Sequence, residues 1–98
     1  MAMENEQITK IKKIVCNEFC IEETELLNKS LRNHIMFAKY MFSFFAFSST
    51  LNKVAVKDCV GATDTKKIDE YMRKHHNLLT DSNYRRIAER VERRINEI

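Results

Sequence analysis

Histidine and cysteine are the side chains best suited to hold a metal or attack a substrate, and the chain has three of each. Their spacing suits neither task. His75 and His76 are neighbours, and adjacent helical side chains diverge by about 100°, too far to share an ion. His34 stands alone, with no Cys, Asp or Glu at ligand spacing. Cys16 and Cys20 lie one helical turn apart on an apolar stripe and Cys59 is remote, an odd set that matches no zinc pattern and reads as reduced core thiols. Gly61 is the only glycine, whereas a phosphate-cradling or dinucleotide loop needs several. No nucleophile has a base beside it, so neither an enzyme nor a cofactor or metal is expected. The remaining constellation is Thr63-Asp64-Thr65-Lys66-Lys67 with Arg73 two turns further on. A helix that starts here offers free backbone N–H groups and lysines to phosphates, and Thr65, Lys66 or Arg73 to base edges. The competing reading is a solvated face whose charges pair at i,i+4: Lys66 with Glu70, Glu70 with Lys74, Asp69 with Arg73.

That constellation needs helices to position it, and the sequence supplies them. Ile8, Ile11, Ile14, Val15 and Phe19 recur at helical spacing over residues 7–20, opposite Lys10, Lys12, Lys13, Asn17 and Glu18. Glu22-Glu23-Thr24-Glu25 places carboxylates in the first turn of a short second helix that ends near Lys29 or Ser30. Residues 32–48 are apolar around most of the circumference, the pattern of a central helix enclosed by its neighbours. Ser48-Ser49-Thr50 reads as a capping cluster before a helix over 51–60. Gly61 then suits a left-handed helix terminus, and Ala62-Thr63-Asp64 a turn and N-cap for a helix over 65–79. On that helix Ile68, Tyr71, Met72, His75 and Leu79 face inward, and Lys66, Asp69, Glu70, Arg73 and Asn77 outward. Thr80-Asp81-Ser82 caps a last helix whose seam is Tyr84, Ile87, Ala88, Val91, Ile95 and Ile98. Its outer arginines, Arg85, Arg86, Arg90, Arg93 and Arg94, alternate with Glu89, Glu92 and Glu97 as a solvated face does. The seam packs on the first helix or pairs with a second copy.

These elements define an all-α fold class: a bundle of about six helices containing a helix-turn-helix, with residues 1–6 a flexible N-terminus and 7–98 a single domain. Ninety-eight residues allow one core, and the absence of proline argues against a strand-rich fold with its many turns. A net charge of +3 is mildly basic and decides nothing about nucleic acid. The longest apolar run, Ile35 to Phe47, falls short of the roughly 20 residues that span a bilayer. With no secretory signal pattern in Met-Ala-Met-Glu-Asn-Glu, a cytoplasmic location and no membrane partner are expected.

The stretch from Val60 to Lys74 is similar, without a gap, to the signature F-G-G-R-D-H-T-T-V-L-H-A-C-R-K of the bacterial replication initiator DnaA. Gly61, Asp64, Arg73 and Lys74 match outright, and Val60 and Ile68 match in character. Upstream, Ile14 to Ile21 looks like V-V-A-E-Y-F-G-I and Leu26 to Ser30 like L-L-S-K-S, and Ile35, Ala38, Lys39 and Met41 fit I-x-x-A-R-x-x-A. The chain thus resembles the carboxy-terminal DNA-binding domain of that family, domain IV, within the Trp-repressor-like helix-turn-helix superfamily. The likeness covers about residues 8–79, with one residue missing near Asn52 to Val54. It implies sequence-specific binding of double-stranded DNA, with base reading at the start of the recognition helix and minor-groove contact from a basic loop. In this chain the base-reading D-H-T-T is Asp64, Thr65, Lys66 and Lys67, so the sequence preference should differ. The loop is reduced to Lys29, Arg32, Asn33 and His34. The L-P-E-I of the preceding helix is Val54-Ala55-Val56-Lys57.

The expected function is DNA binding in replication or transcription control, through Lys29, Arg32, His34, Thr63, Asp64, Thr65, Lys66, Lys67 and Arg73. Without the initiator's ATPase module, such a chain is expected from a phage or mobile element. The rival is a helical interaction module that binds or mimics a replication protein. Its contact surface would be the aromatic central helix or the terminal seam, the latter also a route to a homodimer.

Overall fold

A computed structural model describes residues 6–29 and 32–97 of the chain. Among them are five α-helices and one 3-10 helix and no strand. Ser30, Ile98 and the first five of the residues expected as a flexible N-terminus lie outside the described residues, and Glu6 already begins a helix.

Helix α1, Glu6–Phe19, buries Ile8, Ile11, Ile14, Val15 and Cys16. It stops where Cys20 turns left-handed at φ 58° and Ile21 N–H donates back to the Cys16 carbonyl at 3.0 Å. That turn rotates Cys20 off the apolar stripe to an exposed position, while Cys16 is buried and Cys59 intermediate; all three are free thiols. The expectation of three core thiols therefore holds for Cys16, holds in part for Cys59, which packs partly buried against the core, and fails for Cys20. Burial pushes the Cys16 thiol up to about 12, with Glu23 and Glu25 adding to the rise and Lys12 opposing it, so this sulfur stays protonated and inert.

The 3-10 helix, Glu23–Leu27, opens with a capping box, the Glu22 N–H donating to Glu25 Oε1 at 2.8 Å. At its far end the Asn28 carbonyl accepts from the Lys39 ammonium, itself only 4% exposed. Desolvation lowers the Lys39 pKa, and the carbonyl is its hydrogen-bonding partner in the interior.

Helix α2, Asn33–Thr50, is the enclosed pillar, burying Ile35, Ala38, Lys39, Tyr40, Met41, Phe42, Ser43 and Ala46 and touching α1, α3 and α4. Its last turn absorbs Ser48, Ser49 and Thr50, which were expected to cap the next helix. The Thr50 hydroxyl instead donates back to the Ala46 carbonyl at 2.9 Å, and the cap falls to Asn52, whose Oδ1 accepts from Ala55 N–H at 3.1 Å. Leu51 makes the connection in left-handed geometry, φ 55°, and is 74% exposed. A leucine there pays the steric cost of its Cβ and buries little in return. Leu51→Gly should therefore raise stability by about 1 kcal/mol, a gain of several degrees in Tm on thermal unfolding followed by circular dichroism.

Helices α3, Lys53–Val60, and α4, Thr65–Leu78, are joined across Gly61 at φ 68°. Val56 and Val60 from α3, and Ile68, Tyr71 and His75 from α4, enter the same core as α2. Helix α5, Ser82–Asn96, is capped by Asp81, whose Oδ1 accepts from the N–H groups of Asn83 and Tyr84 at 3.0 Å each. Its seam is covered within the chain: Tyr84, Ala88 and Val91 are buried, and Ile87 and Ile95 are partly buried against the core. Of the two roles expected for the seam, packing within the chain is the one its described residues take. The arginines of α5 are not all a solvated face. Arg90 Nε reaches Glu18 Oε1 at 3.0 Å and Arg94 Nη1 reaches Glu18 Oε2 at 3.1 Å, clasping α5 to α1.

Candidate nucleic-acid interface

The turn from Gly61 to Asp64 sets the start of α4. The Gly61 N–H donates to the Lys57 carbonyl, and Ala62 N–H donates to the same oxygen at 3.1 Å, which closes α3 and redirects the chain. Asp64 then caps α4, its Oδ1 accepting from Lys66 N–H at 3.0 Å and Lys67 N–H at 3.3 Å. One oxygen of this carboxylate thus fills the N-cap role expected of it and fixes where the helix starts. Thr63, Lys66, Lys67 and Arg73 are exposed around it, and Thr65 is half-buried.

Of the three i,i+4 pairs expected on the outward face of α4, Glu70 with Lys74 is the one found among the described residues. Asp69 pairs with Lys53 of α3, Nζ to Oδ1 2.7 Å. Glu70 sits between Lys67 at 3.4 Å and Lys74 at 3.9 Å. Both carboxylates are thereby engaged by lysines, and Lys66 and Arg73 have no ion-pair partner among the described residues. Lys66 and Arg73 are separated by two turns on one face, about 10 Å of helix rise, and present their charge outward. Lys53 was not anticipated as part of this surface, since no local spacing connects the first residue of α3 to the second turn of α4.

The loop candidates divide. A Cβ on Gly61 would stand 3.0 Å from the Leu27 carbonyl oxygen, so the end of the 3-10 helix abuts the α3–α4 turn. Lys29, two residues beyond Leu27, is thus carried to the neighbourhood of that turn and is exposed. Arg32 and His34 are exposed at the start of α2, with Arg32 in the N-cap position and its carbonyl accepting from Ile35 and Met36 N–H groups at 3.1 and 3.0 Å.

Elsewhere, a cleft of about 310 Å³ opens between α2 and α5, floored by Phe44, Phe45, His75 and Ala88 and rimmed by Arg85, Glu89 and Glu92. Among the described residues no cluster of three or more His, Cys, Asp or Glu could hold a metal ion, and no helix is long and apolar enough to cross a membrane. No family model, curated protein or solved structure matches the chain. The DnaA likeness therefore stands on the residues quoted above.

Proposed function

We propose that the chain binds double-stranded DNA in a sequence-specific manner and acts in replication or transcription control. In this reading α3, the Gly61 turn and α4 form a helix-turn-helix, with α4 as the recognition helix in the major groove. The observation that carries it is the pair Lys66 and Arg73, cations on one face of α4 with no ion-pair partner among the described residues, the carboxylates of that helix being occupied by other lysines. Lys66 and the N-terminal N–H groups suit phosphates, and Arg73 and Thr65 suit base edges. Lys29, Arg32 and His34 supply further contacts flanking the groove.

Titration of labelled random duplexes at increasing salt tests this. Affinity should fall linearly in log–log form as salt rises, because phosphate contacts release counterions. Lys66→Ala should weaken binding across all sequences and flatten the salt slope by about one, whereas Arg73→Ala should cost roughly 1–3 kcal/mol and relax preference at one base position. No binding at low salt, or binding indifferent to salt, overturns the proposal.

The α2–α5 cleft favours the second reading, a helical module that docks a replication protein on its aromatic floor. A protein complex that persists at high salt, with no DNA retained, would decide for it.

A further inference from the structure

Lys53 belongs to α3, yet its ammonium is fixed by two other helices. Its Nζ lies 2.7 Å from Asp69 Oδ1 of α4 and 5.7 Å from the centroid of the Phe47 ring of α2. Asp69 is the i+3 neighbour of Lys66 and the i−4 neighbour of Arg73. On an isolated helix those two cations would be its partners. Lys53 takes that place from outside the helix, and neither cation pairs with Asp69.

A bare carboxylate between Lys66 and Arg73 would repel the phosphates of an approaching duplex and draw the two cations inward. The geometry points to Lys53 as a positioning residue for nucleic-acid binding: its ammonium neutralises Asp69 on the α3 side and leaves Lys66 and Arg73 free to meet phosphate and base. This inference rests on the DNA-binding reading of α4.

The test compares the wild type with Lys53→Met, Asp69→Asn and the double variant, by duplex affinity at one low salt concentration and by Tm. Methionine keeps an aliphatic stem against Phe47, so Tm should move little. Lys53→Met should weaken binding roughly tenfold, the scale of one opposed phosphate contact. Asp69→Asn should bind at least as tightly as the wild type, and the double variant should recover to within about twofold of Asp69→Asn. If Lys53 itself touches phosphate, the double variant will stay as weak as Lys53→Met, and the inference fails. It fails as well if Lys53→Met binds like the wild type, or if Asp69→Asn alone weakens binding, a result readable even if Lys53→Met does not fold. A wild type that binds no duplex overturns the DNA reading and this inference together.

Discussion

Between pH 7 and pH 4.5 the protein should lose on the order of 2–3 kcal/mol of folding stability, and His75 should account for most of it. The ring is 1% exposed, stacks on Phe44 at 4.4 Å between centroids, and places Nδ1 2.7 Å from the Tyr84 hydroxyl, a hydrogen bond that either neutral tautomer can make. Burial, with a smaller contribution from the neighbouring His76, lowers its pKa from 6.5 to about 4. The folded form is thus the weaker base. Above pH 6.5 both states are neutral here and the stability is complete; below it the unfolded chain takes up a proton that the folded chain refuses. The loss accumulates as pH falls towards the folded value near 4.

Urea unfolding at several pH values would show this as a falling midpoint with little change in slope. His75→Gln, which can still bond Tyr84, should be nearly flat over the same range, and an unchanged acid loss in that variant would remove His75 as the cause. Glu18 acts in a different window. Burial raises its pKa, but the hydrogen bonds and charges of Arg90 and Arg94 outweigh that and hold the carboxyl below its usual 4.5. Its contribution is complete above pH 4.5 and fades only in stronger acid, so the two effects separate along the pH axis.

The second large effect is expected at Gly61. The backbone sits at φ 68°, and a Cβ there would stand 3.0 Å from the Leu27 carbonyl oxygen and 3.5 Å from the Leu27 Cα. Alanine would add a left-handed penalty of about 1 kcal/mol to a close contact with backbone that the capping box and Lys39 hold in place. Gly61→Ala should cost about 2 kcal/mol, a fall of roughly 8–16 °C in Tm, and Gly61→Val more. Asn, which tolerates the left-handed region, should fall between glycine and alanine if φ dominates and match alanine if the Leu27 contact dominates. The thermal melts of the three variants distinguish these cases. An alanine variant as stable as the wild type would mean that the turn does not hold this geometry.

Gly61, Asp64 and Asp81 were legible because each is a local signal, a residue type whose own backbone or side-chain chemistry ends or starts a helix. The apolar periodicities of α1, α4 and α5, and the all-round apolar run of α2, were legible for the same reason. Ser48-Ser49-Thr50 misled because hydroxyl residues also satisfy a helix C-terminus, as Thr50 does on the Ala46 carbonyl. The choice between the two ends was made by Leu51, a residue without a turn signal. Cys20 sat on the apolar stripe in projection, but a left-handed residue rotates the chain off the wheel. At the candidate site, the exposure of Lys66 and Arg73 followed from helical spacing. The Glu70–Lys74 pair followed from it as well, but the other partners did not, because Lys53 arrives at Asp69 from another helix and Lys67 meets Glu70 from the i−3 position in place of Lys66 at i−4. Tertiary approach at Asp69 and a competing i−3 spacing at Glu70 together decided which cations have no ion-pair partner among the described residues.

The Glu18 clasp joins residues as far apart in sequence as Glu18 and Arg94. Contacts of such separation are closed late, since the intervening chain must lose its freedom before they give anything back. The pillar α2 can gather α1, α3 and α4 as each leaves the ribosome, but one flank of α1 stays wet until α5 and its two arginines have been made. During that interval the nascent chain exposes the surface that α5 later covers, so premature termination before α5 should yield a product prone to chaperone capture or proteolysis.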